Sequence, residues 1–119
     1  MLTGLLLKES LQDENDLDLV RVTKTEVWDV TNAAPSQPEV WTALIFEAEE
    51  QRADEIAAAF SHALKPEGWY LNFSFDDQLY VIFPRKVFKY LRGNQRVHQQ
   101  AIRFGRALNI PESQLDWGE

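Results

Sequence analysis

Cysteine is absent from this chain of 119 residues. That removes disulfide frameworks, thiolate nucleophiles and cysteine-based metal sites together. Histidine is scarce: His62 and His98 stand alone, with no second histidine three or four residues away. Each is expected to be solvated, and no metal site is expected. Glycine-rich phosphate loops are missing, so no cofactor site is expected. Ser61 and Lys65 fall at i and i+4 of a helical segment, which is not the spacing of a serine/lysine nucleophile, and no catalytic residue can be nominated. The opening MLTGLLLKE has no basic segment, and its apolar run is too short for a signal peptide or a membrane span. A cytoplasmic location without a membrane partner is the expectation, and the sequon Asn72-Phe73-Ser74 then has no bearing. Positive charge is also short, with 12 Lys and Arg against 19 acids and a net charge of -7. Nucleic acid is therefore not the expected partner of so acidic a protein.

What is present is material for a core. Hydrophobic residues make up 45% and charged residues 26%, with four tryptophans and seven phenylalanines. This suits one globular domain over residues 1–119. Period-two alternation predicts strands over residues 2–11, 20–30 and 40–48. The last of these, VWTALIFEA, is apolar on both sides and is expected to be central. Between the second and third lies a loop dense in turn residues, TNAAPSQP.

The period then changes. Ala53, Ile56, Ala57, Phe60 and Leu64 recur at helical spacing, which predicts a helix over residues 50–64 closed by Pro66 and Gly68. Glu47, Glu49, Glu50, Asp54 and Glu55 gather at its start, where carboxylates favour the positive end of the helix dipole, and they are expected to be solvated. A hairpin follows: Trp69, Leu71, Phe73 and Phe75 alternate up to an Asp76-Asp77 turn, and QLYVIFP resumes beyond it. A short strand is expected over residues 87–91. A second helix begins near Arg92-Gly93-Asn94 and ends at Asn109, a candidate left-handed cap before Pro111.

Strands in this number with two helices define an α+β fold with a largely antiparallel sheet. Both helices are expected on one face, in a plan related to the ferredoxin-like one. On that arrangement Phe73 and Val81 face the helices. Trp41, Ile45, Tyr70 and Tyr80 share the opposite face, which no helix is left to bury. An apolar face of this kind marks an interface or a ligand groove unless the termini fold across it. The expected role is a non-catalytic binding or assembly module, a homodimer through Trp41 and Tyr80. The alternative is an enzyme or small-ligand-binding protein with a pocket on that face.

YLRGNQRVHQQAIRFGRAL carries four arginines and no acid. At helical spacing Val97, Ala101, Phe104, Gly105 and Leu108 form one stripe, and Arg92, Arg96, Gln99, Arg103 and Arg106 form another roughly opposite. The basic stripe is expected to be the solvent side of an amphipathic helix. The charge separation along the chain leaves an acidic surface of the same or a second molecule as its alternative partner.

GWYLNFSFDDQLYVIFPRKVFKY, followed by AIRFGRALNIPESQLDW, resembles a family of small prokaryotic proteins that share a hairpin, a strand after FP, and a closing tail. The resemblance covers roughly the last fifty residues. It implies no activity and no catalytic residue. It does imply that residues 111–117 are ordered.

Overall fold

The computed structural model describes residues 1–30, 33, 37–66, 68–115 and 117. Six strands, β1 (Leu2–Leu7), β2 (Arg21–Asp29), β3 (Val40–Ala48), β4 (Leu71–Phe75), β5 (Gln78–Phe83) and β6 (Lys86–Leu91), form one sheet in the order β2-β3-β1-β4-β5-β6. Every neighbouring pair is antiparallel. Two helices, α1 (Ala53–Ala63) and α2 (Gln95–Ala107), complete an α+β fold in the chain order expected. Among the described residues no helix is long and apolar enough to cross a membrane.

β1 lies between β3 and β4 and runs against both. β3 and β4 are therefore parallel to each other, joined through α1 with β1 filling the gap. Filling it brings backbones close. A Cβ on Gly4 would stand 2.6 Å from the Asn72 carbonyl oxygen and 2.7 Å from Phe46 Cζ, so only glycine fits there.

The hairpin decides which face each helix covers. Its two-residue turn, with Asp76 at φ 51°, pairs Phe75 with Gln78, and so Phe73 with Tyr80 and Asn72 with Val81. Directly paired residues share a face and neighbours along a strand do not. Tyr80 and Ile82 pack in one core with Ile56 and Phe60 of α1. Leu79, Val81 and Phe83 pack in a second core with Ala101 of α2 and the tail residues Ile110, Leu115 and Trp117. The helices therefore lie on opposite faces of the sheet. This corrects the expectation that both share one face, and with it the ferredoxin-like comparison that rested on that arrangement. The cause is in β5 itself, whose QLYVIF is apolar on both sides and needs cover on both. It also corrects Tyr80, which shares its face with Phe73 and α1, and Val81, which lies on the face opposite Phe73, under α2.

Local boundaries differ from expectation by a few residues. β1 ends at Leu7, and the chain turns before Leu11 bridges to Leu64. A single 3-10 turn, Glu50–Arg52, precedes α1. α2 begins after Asn94, whose side chain accepts from the Val97 amide at 3.3 Å. It closes at Asn109 with φ 62°, the left-handed cap expected. Ala101 and Gly105 are buried, while Arg92, Arg96 and Arg103 are exposed. Arg106 is held by Glu112 of the tail, its Nε at 2.6 Å from one carboxylate oxygen. The basic stripe is thus the outer face of α2, with one of its arginines pinned to the tail.

Candidate ligand-binding cavity

α2 and the tail cover the β5–β6 half of their face. Over β1 and β3 the same face remains open, and there a cavity of about 560 Å³ opens. Its walls come from separate parts of the chain. β2 and β3 bring Trp28 and Trp41, which are cross-strand partners; the approach to β4 brings Trp69 and Tyr70; the tail brings Trp117. All four tryptophans of the chain thus line one space. Leu5 of β1 and Asn72 of β4, adjacent in register, also line it.

The rings form two pairs. Trp41 and Trp69 lie with centroids 5.3 Å apart, and Tyr70 and Trp117 lie 5.4 Å apart, edge to face. Hydrogen bonds hold most of them. Trp41 Nε1–H donates to the Pro38 carbonyl at 2.8 Å, Trp117 Nε1–H donates to the Tyr90 hydroxyl at 2.7 Å, and the Tyr70 hydroxyl donates to the Gln114 carbonyl. Behind the wall, Gln37 and Gln114 exchange amide hydrogen bonds at 3.2 and 3.0 Å, and Gln37 also donates to the Gly68 carbonyl. Three loops are riveted at one buried point. Gly68, at φ 88°, adopts a conformation that a residue with a Cβ rarely takes.

Among the described residues of the lining, two polar groups have no hydrogen-bond partner. Asn72 is half-buried between Leu5 and Val81, and its side-chain amide makes no hydrogen bond. Trp69 is 5% exposed, and its Nε1–H meets no acceptor. Among the described residues no fully enclosed side-chain nitrogen or oxygen lacks a partner, so this N–H opens to solvent, and the cavity is the space that Trp69 borders. Among the described residues of the lining, Asp29 is the one acid, and none is basic.

Of the four residues expected on this face, Trp41 and Tyr70 are in the cavity wall. Ile45 is half-buried on the same face, between Lys24 and Leu5 in register. Tyr80 is elsewhere. Buried beneath α1, it donates its hydroxyl to Asp54 Oδ1 at 2.7 Å, with Lys89 Nζ 3.4 Å from the same oxygen. Burial, then the hydrogen bond to Asp54, pushes the Tyr80 phenol up. That hydroxyl, with Lys89 beyond it, holds the Asp54 carboxyl below its ordinary value. A dimer interface built on Trp41 and Tyr80 is therefore corrected, because the two lie on opposite faces and both are buried. Trp28, Trp69, Asn72 and Gln114 were not singled out for the site. The sequence signal for Asn72 was available: an amide between Leu71 and Phe73, placed opposite Val81 by hairpin arithmetic, is a polar group in an apolar face.

Other expectations resolve simply. His62 is exposed. His98 is half-buried and not solvated: its Nδ1 lies 3.1 Å from the Tyr90 hydroxyl and its ring 5.1 Å from that of Trp117. Of the acidic group, Glu47 pairs with Arg21, Glu50 with the N-terminal amine, Glu55 with Arg52 and Asp54 with Lys89. Among the described residues no cluster of His, Asp or Glu is arranged to hold a metal. No family model, curated protein or solved structure matches the chain.

Proposed function

We propose that the protein binds a small, flat, uncharged organic molecule in the tryptophan-walled cavity. The observation that carries this reading is the convergence of all four tryptophans, from separate segments, on one open concave space. Interiors are close-packed and keep few voids, whereas ligand sites are concave, mostly apolar and about 300–1,000 Å³ in volume, with a few placed polar groups. Paired aromatic walls suit a planar guest. A lining whose described residues hold Asp29 and no base disfavours an anion. The free amide of Asn72 offers a donor and an acceptor together, and Trp69 offers a further donor. A lactam-like edge on an aromatic ring is the chemistry they fit. This is a reading of binding and assigns no reaction.

The test is calorimetric titration with 2-quinolone, which has such an edge, and with naphthalene, which has the ring shape without it. Saturable one-site binding of 2-quinolone is expected, and it should be lost in Leu5→Trp, which fills the floor. Asn72→Leu should weaken 2-quinolone by about tenfold, the worth of one hydrogen bond, and leave naphthalene unchanged or tighter. Absence of saturable binding to either compound, or unchanged binding in Leu5→Trp, would overturn the cavity as a ligand site. Equal losses of both compounds in Asn72→Leu would overturn the polar part of the assignment.

A further inference from the structure

We infer that β2 is a dimerisation edge, pairing antiparallel with β2 of a second copy about a two-fold axis at Thr25, so that one sheet continues through both molecules. β2 ends the sheet, and among the described residues no strand pairs with its outer side. Such an edge offers a row of backbone donors and acceptors to another strand. The edge is also where apolar exposure collects. Of the six large hydrophobic residues exposed among those described, four are Val22, Val27, Trp28 and Val40, on β2 or on β3 directly beside its end. Val27 is 71% exposed.

The occupant is argued from charge. β2 reads RVTKTEVWD, and about Thr25 its charges are mirrored with opposite sign. A two-fold register centred there places Lys24 of each copy against Glu26 of the other, two symmetry-related pairs on one face of the sheet. Moving the centre to Lys24 or Glu26 sets that residue against its own copy, and moving it half a step removes both pairs. Opposite charges directly across antiparallel strands stabilise the pairing, and like charges oppose it. Lys24 and Glu26 already bridge within one chain at 3.0 Å, so pairing would join the two bridges into an alternating set of four charges. The bulge between Val22 and Lys24 leaves the central residues 24–26 regular and sets Arg21, paired with Glu47 of its own chain, on the face opposite Asp29, so the outer charges take no part. The opposite edge differs. β6, KVFKYL, carries two lysines and no acid, so no register of its two-fold pairing forms an opposite-charge pair, and edge lysines are a common way of blunting an edge.

This inference stands apart from the cavity, and its test does not depend on any ligand. Sedimentation of the wild type from about 1 µM to about 500 µM, where small interfaces exchange, should show a concentration-dependent dimer that weakens with salt. Lys24→Glu should weaken it by about tenfold. Adding Glu26→Lys to that variant should restore it, because the swapped pairs are again complementary. The chain has no cysteine, so Thr25→Cys can be oxidised without background. It should give a disulfide-linked dimer faster than Lys89→Cys on the opposite edge. A wild type that stays monomeric throughout, or a double swap that fails to restore association, would overturn the inference.

Discussion

Tyr80 and Gly4 carry the residue-scale consequences of the fold. The Tyr80 hydroxyl ties Asp54, at the start of α1, to the middle of the sheet. The Asp54 carboxyl is lowered in the folded chain, chiefly by this hydrogen bond and then by Lys89. A lowered carboxyl contributes stability that is present above its unfolded value and is lost as pH falls through its folded value. Tyr80→Phe should let the Asp54 carboxyl rise, visible in an NMR titration. The cost at neutral pH should stay under about 1 kcal/mol, because Asp54 is largely solvated. In urea melts this difference from wild type should shrink as pH falls below the ordinary carboxylate range. Gly4→Ala is of another order. Its Cβ meets backbone and ring atoms of the packed centre, and overpacking there should cost about 3 kcal/mol. At Gly105 the closest atom, 2.6 Å away, ends the flexible side chain of Leu115, and alanine favours a helix by about 1 kcal/mol. Gly105→Ala should therefore be much the milder change. Melts giving the reverse order would refute the crowding assigned to β1.

At the scale of elements, the tail is the part whose attachment is most testable. Pro111 stops α2, and the chain returns across the sheet with Leu115 and Trp117 buried. Trp117 is bonded to Tyr90 and packed on Tyr70 and His98. Trp117→Ala removes this anchor and should cost about 3 kcal/mol. The amides of Gln114 and Leu115, bonded within the tail's own turn, should then exchange faster with solvent. Unchanged exchange would mean that Arg106–Glu112 and the Gln37–Gln114 pair hold the tail without the tryptophan. Because Trp117 is also a wall of the cavity, the same variant should lose 2-quinolone binding. The elements themselves were legible in the sequence, since each has a period and a boundary signal: the Asp76-Asp77 turn, the Asn109 cap, the stripe of Ile56, Ala57 and Phe60. Their placement was less so. The alternation in β5 shows two apolar faces but does not say which helix covers which.

For the whole molecule, the balance of charge governs what it associates with. Arg92, Arg96 and Arg103 are exposed on the outer side of α2, yet the net charge is -7. Binding to mixed-sequence DNA or RNA at physiological salt should be no tighter than the micromolar non-specific range. A fluorescence anisotropy titration checks this. Submicromolar binding abolished by Arg96→Glu with Arg103→Glu would reassign that face as a nucleic-acid surface.

By itself the sequence determined the α+β class, the order of the elements, the burial of Phe73 and Val81, and the solvent side of α2. All of these follow from periodicity and from short-range signals that a few neighbouring residues carry. Trp41 and Tyr70 could be marked as belonging to an apolar face for the same reason. The tertiary structure alone decided that α1 and α2 take opposite faces, because a strand apolar on both sides accepts cover from either. It alone brought Trp69 and Trp117 to one cavity with Trp28 and Trp41, themselves cross-strand partners, since these groups lie far apart in the chain and meet only when β1 inserts between β3 and β4 and the tail returns over the sheet. No local pattern encodes a contact of that kind, which depends on where each segment is carried by the packing of all the others.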